Sequence, residues 1–137
     1  MSVHLALRAR LLDDEIDVAC SRLGDRVMGM ERIDSLIRVP VTAPGGGSVY
    51  LALVGSGFDA EPFGLPELDG TSASAERWPT GLDAGLHPVL NRPFACIRGC
   101  AEYYCHPSHL QERWDTVRNT LRLADLLDHA LRKAGRP

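Results

Sequence analysis

The sequence predicts an α+β domain with an N-terminal helix, a small antiparallel β-meander and C-terminal helices. Three observations predict it. Apolar residues recur at three- and four-residue steps from Val3 to Leu23, branched β-like runs fill the stretch from Arg26 to Val54, and helical steps return after Ser108. With 137 residues, 45% of them hydrophobic, the chain has apolar material for one core and too little for two of ordinary size. Residues 1–137 are therefore read as a single domain.

Taken in order, Leu5, Ala6, Ala9, Leu12, Ile16, Ala19, Cys20 and Leu23 form the stripe of an amphipathic helix. Gly24 follows directly, where a C-cap takes the left-handed conformation. Cys20 lies on the stripe and is read as a small buried hydrophobe. Val27–Met30 is a weak β signal and Leu36–Val41 a strong one, with Pro40 marking an edge position or a bulge because it cannot donate to a ladder. Pro44-Gly45-Gly46-Gly47 is the tip of a hairpin into the strand Ser48–Val54. No Lys-Ser/Thr pair follows those glycines and a strand comes next, which excludes a phosphate-cradling loop. A short segment around Leu65 to Leu68 comes next, then a loop over residues 69–86 whose Trp78 pins it to the core. Ser108 and Gln111 have the form of a capping box opening a helix through Leu110, Trp114, Val117, Leu121, Ala124, Leu127 and Leu131, with Asn119-Thr120 as a break into two. Arg132 and Lys133 suit its C-terminal end.

A net charge of −3 with interspersed signs gives no reason to expect nucleic acid or a membrane surface as partner. No apolar run approaches the ~18–20 residues of a membrane span. The early Asp13, Asp14 and Glu15 do not fit a signal peptide, so a cytoplasmic location is expected. In that reducing compartment the four cysteines are expected as thiols or metal ligands rather than disulfides.

The chemistry concentrates in residues 87–109, which hold three of the four cysteines and three of the five histidines. His106 lies just before the expected helix and His109 in its first turn, while Cys96 and Glu102 lie upstream on an expected extended stretch. One cysteine, one carboxylate and two imidazoles suffice for a tetrahedral zinc site of Cys96, Glu102, His106 and His109. Nucleophilic catalysis is the rival, since Cys96, Cys100 and Cys105 each lie near imidazoles. A third arrangement, zinc hydrolysis, needs Glu102, His106 and His109 plus a metal-bound water.

The order of landmarks resembles the ubiquitin-conjugating enzymes: a β-meander, the turn Phe58-Asp59-Ala60-Glu61-Pro62, then His87-Pro88, with Cys96 nine residues beyond His87, then helices. That resemblance implies a thioester on Cys96, with His87 in the family's His-Pro motif and Asn91 supplying the oxyanion-stabilising amide. Val89 stands where the motif's asparagine belongs. Cys96-Ile97-Arg98-Gly99, Glu102-Tyr103 and His106-Pro107-Ser108-His109, with Trp114 beyond, are also similar to a bacterial family of predicted metal-binding domains with a Cys-Glu-His-His signature. It occurs with ubiquitin-like conjugation systems, which implies zinc on Cys96, Glu102, His106 and His109, and a ubiquitin-like protein and its activating enzyme as partners. The family pattern has a further histidine where this chain has Tyr104, which makes Cys105 a candidate replacement. The two implications compete, because a cysteine engaged in a closed four-ligand site is a poor nucleophile.

Overall fold

A computed structural model describes residues 2–42, 48–56, 58, 61–68, 87–90 and 95–133. The expected α+β layout is present: helix α1 (Ser2–Leu23), a four-stranded sheet, and short helices closing the chain. Gly24 takes a φ of +54° and ends α1 as the sequence predicts. A 3₁₀ turn over Gly24–Val27 then leads into β1 (Glu31–Ile33).

Strands β1, β2 (Leu36–Thr42), β3 (Ser48–Val54) and β4 (Gly64–Leu68) lie side by side in chain order, each antiparallel to the next. The β2–β3 register runs from Leu36↔Val54 to Thr42↔Ser48. Ile37 and Val39 thereby face Leu53 and Leu51 across the pair, and all four are fully buried. β1 pairs only as far as Arg38 on β2, so Pro40 lies beyond its end, at a local edge of an inner strand. The glycine-rich tip at residues 44–47 and the loop carrying Trp78 lie outside the described residues.

One buried cluster joins Leu12, Ala19 and Leu23 of α1, the inner face of the sheet, Ala95, Ile97 and Cys100, and the apolar face of α4 (Leu123–Lys133). Polar contacts fix how α1 meets α4. The Glu15 carboxylate accepts from the Leu123 backbone N–H at 3.1 Å, in the first turn of α4, and from the Arg122 guanidinium at 3.1 and 3.3 Å. Arg22 reaches Asp125 at 3.2 Å and Arg26 reaches Asp128 at 2.7 Å.

Four sequence expectations change. Val27–Met30 forms no strand: Val27 closes the 3₁₀ turn and the first strand begins at Glu31. Cys20 is exposed while its neighbour Ala19 is buried: α1 turns a narrower stripe inward than its apolar residues suggest. Glu102 lies not on an extended stretch but in a one-turn helix, α2 (Ala101–Tyr104). The expected capping box does not form: His106 takes the N-cap role, its Nδ1 accepting the Ser108 backbone N–H at 3.1 Å, and the Ser108 hydroxyl lies 2.7 Å from the same nitrogen. A 3₁₀ turn over Pro107–His109 results, and α3 (Trp114–Val117) starts from Arg113 without a side-chain cap. The break foreseen at Asn119-Thr120 separates α3 from α4. Among the described residues no helix is long and apolar enough to cross a membrane.

Candidate functional site

The segment from Ala95 to His109 is anchored to the sheet edge before its polar side chains meet. Cys100 forms an isolated parallel bridge with Phe63, and the Ala101 N–H donates to the Phe63 carbonyl at 2.8 Å. Beneath it Phe63 stacks on Phe58 at 4.3 Å, and Trp114 of α3 lies 6.0 Å from Phe58. Gly99 turns the chain between Cys96 and α2 with a φ of +110°, a conformation that side-chain-bearing residues rarely adopt.

On this base Cys96, half-buried, places its Sγ 3.7 Å from His109 Nε2. The other nitrogen of that ring, Nδ1, lies 3.1 Å from Glu112 Oε2. A carboxylate only accepts, so in the neutral ring the proton resides on Nδ1 and the Nε2 lone pair faces the thiol. Tyr103 stacks on the imidazole, with centroids 3.9 Å apart and planes 12° apart, and donates its hydroxyl to the same Glu112 oxygen at 2.6 Å. That bond holds the Glu112 carboxyl below the usual carboxylate range, with His109 adding to the effect, and it pushes the Tyr103 phenol up to about 12. Thiol, imidazole and carboxylate therefore follow one another in a line, with an aromatic ring stacked on the imidazole, the order in which a nucleophile, its base and an orienting group would stand.

A second cysteine–histidine pair lies nearby and is wired differently. His87, 1% exposed, accepts the Val89 and Leu90 N–H groups at Nδ1, both at 3.1 Å. Its proton is therefore on Nε2, which donates to the Glu102 carbonyl at 2.9 Å. Cys105 Sγ lies 3.5 Å from that protonated nitrogen and 3.7 Å from the same carbonyl, which accepts its thiol. His87 thus ties residues 87–90 to α2 and presents no lone pair to Cys105. Cys100 is fully buried, and burial pushes its thiol well above the usual range, with Glu102 and Cys96 reinforcing the effect.

Of the residues singled out in the sequence, the structure brings Cys96 and His109 into contact. The His106 ring lies 5.7 Å from that of His109 and 5.4 Å from that of His87, with its Nδ1 taken by Ser108. The Glu102 carboxyl is sealed at 2% exposure beside β4, where a Cβ on Gly64 would meet it at 3.8 Å. Among the described residues no group of three or more His, Cys, Asp and Glu side chains is gathered closely enough to hold an ion. Asn91 lies outside the described residues.

Sequence reasoning missed Glu112 and Tyr103. The His109-x-x-Glu112 spacing was available as a signal for the first, since three residues span one turn; nothing in the sequence signals that Tyr103 would stack on His109. No protein-family profile, curated protein or solved structure matches the chain.

Proposed function

We propose that this chain is a ubiquitin-conjugating-enzyme-like component of a bacterial ubiquitin-like conjugation system, carrying the C-terminus of a ubiquitin-like protein as a thioester on Cys96. The observation that carries this reading is the Cys96–His109–Glu112 line: the Cys96 thiol lies 3.7 Å from His109 Nε2, and a carboxylate stands behind that imidazole. The helix, antiparallel meander and following helices, in the order the resemblance implies, add support.

In the reaction, His109 Nε2 takes the Cys96 thiol proton and Sγ attacks the carbonyl carbon of the thioester presented by an activating enzyme. The new Sγ–C bond forms, the old C–S bond breaks, and the departing thiolate receives the proton back from His109. Glu112 keeps the ring in the productive tautomer and steadies the imidazolium that forms between these steps. An amine acceptor then releases the acyl group as an amide.

The test incubates the protein with an activating enzyme, a ubiquitin-like protein and ATP, and reads a thiol-sensitive adduct by intact mass. The reading expects one adduct per chain, lost in Cys96→Ser and retained in Cys105→Ser. Elemental analysis supplies the contrary outcome. Near-stoichiometric zinc in the wild type that Cys96→Ala and His106→Ala both abolish, with no adduct, would replace thioester transfer by a closed zinc site.

A further inference from the structure

A cleft of about 260 Å³ opens on the Glu112 side of the Cys96–His109–Glu112 line. Its walls include Arg98, Tyr104, Gln111, Glu112, Arg113 and Thr116. At that volume it falls just below the ~300–1,000 Å³ typical of small-molecule pockets, and it suits a single side chain or chain terminus. Its charges do not balance. Two guanidinium groups face one carboxylate, and that carboxylate already serves Tyr103 and His109 through Oε2 while its Oε1 lies 3.6 Å from Arg98 Nε. Arg113 forms no ion pair among the described residues, and Tyr104 Oη is buried with no hydrogen bond of good geometry. Two cations and the amide of Gln111 therefore line a space in which, among the described residues, Glu112 is the one anion.

We propose that this cleft is a carboxylate subsite for the acyl donor, holding an acidic side chain upstream of the carbonyl that reacts at Cys96. The inference rests on the thioester reading of Cys96. What ties the cleft to the donor is Glu112, which lines it and also orients His109. The imidazole bridge from Cys96 to Glu112 spans a distance that roughly three extended residues cover, so the acidic residue belongs about three positions before the reacting C-terminus. Arg98 and Arg113 receive its carboxylate. Charge selection then operates beside the nucleophile, where a donor with a neutral tail would gain no contact with Arg113.

The test uses the full chain and two synthetic peptide ethyl thioesters that differ only in carrying glutamate or glutamine three residues before the reactive carbonyl. Acylation of Cys96 is followed by intact mass and peptide mapping. The glutamate peptide is expected to react about tenfold faster at low ionic strength, as one charge-assisted contact implies. The advantage should shrink with added salt and fall to about one in Arg113→Gln and in Arg98→Gln. Equal rates on the wild type, or an advantage that survives Arg113→Gln, would overturn the subsite while leaving Cys96 a nucleophile. Failure of both peptides to acylate Cys96 would instead remove the thioester reading, and the subsite with it.

Discussion

Cys96–His109 and Cys105–His87 are built from the same two side chains, at Sγ–Nε2 distances of 3.7 and 3.5 Å, and differ in what stands behind the imidazole. Behind His109 is the carboxylate of Glu112, which draws the proton to Nδ1 and leaves the nitrogen facing the thiol free to accept. Behind His87 are two backbone N–H groups, which put the proton on the nitrogen facing the thiol and turn the residue into a tie between two chain segments. Distance between a thiol and an imidazole is therefore a poor guide to reactivity. The group on the far side of the ring decides which pair has a base in it.

The largest expected effect separates the two histidines. His109→Ala should slow Cys96 acylation by roughly 10²–10⁴-fold, the usual contribution of a positioned base, with little loss of stability. His87→Ala should do the opposite: it leaves the Val89 and Leu90 N–H groups and the Glu102 carbonyl without their partner and costs roughly 2–4 kcal/mol in denaturant unfolding. If His87→Ala slowed acylation as much as His109→Ala at unchanged stability, the contrast would fail. Glu112→Gln should lower the acylation rate about tenfold, less than a buried orienting carboxylate would, because Glu112 is exposed. Tyr103→Phe keeps the stacked ring and removes one hydrogen bond to Glu112; a two- to threefold loss of rate, roughly, is expected.

The smallest effect serves as a control away from both pairs. Asp128 is held below the usual carboxylate range by Arg26 and then by Arg132. Its folded value is depressed, so its contribution to stability is present above the ordinary Asp range and is lost as pH falls through the folded value. Asp128→Asn should flatten that acid limb of the stability profile, measured by denaturant titration between about pH 5 and pH 2, and leave the Cys96 acylation rate as it was.

The two central strands and the long first helix were legible because their signals are local. Ser48–Val54 and Leu36–Val41 announced themselves by branched apolar runs, and Gly24 marked the end of α1 by its position. Cys20 was misjudged because apolar periodicity cannot say which edge of a stripe meets the core; the contact of α1 with α4 decides that, through Leu12, Ala19 and Leu23. The capping box at Ser108 failed because the ring of His106 two residues earlier caps instead, accepting the Ser108 N–H and placing Ser108 inside a 3₁₀ turn. In the candidate site the residue types were legible and the partnerships were not. Cys96 and His109 were both singled out, yet which of three cysteines would meet which histidine depends on the Gly99 turn and the Phe63–Cys100 bridge, long-range facts that spacing does not encode. Glu102 was singled out by type, and its burial beside Gly64 of β4 was not legible from spacing.

The most direct measurement is site-resolved alkylation of the folded wild-type protein at neutral pH, with iodoacetamide, quenched at intervals and read by peptide mapping for each cysteine. Cys96 should be modified at least about tenfold faster than Cys105, and His109→Ala should bring its rate down toward that of Cys105. Equal rates at the two thiols in the wild type, or a Cys96 rate unmoved by His109→Ala, would contradict the assignment of Cys96, His109 and Glu112 as the reactive line.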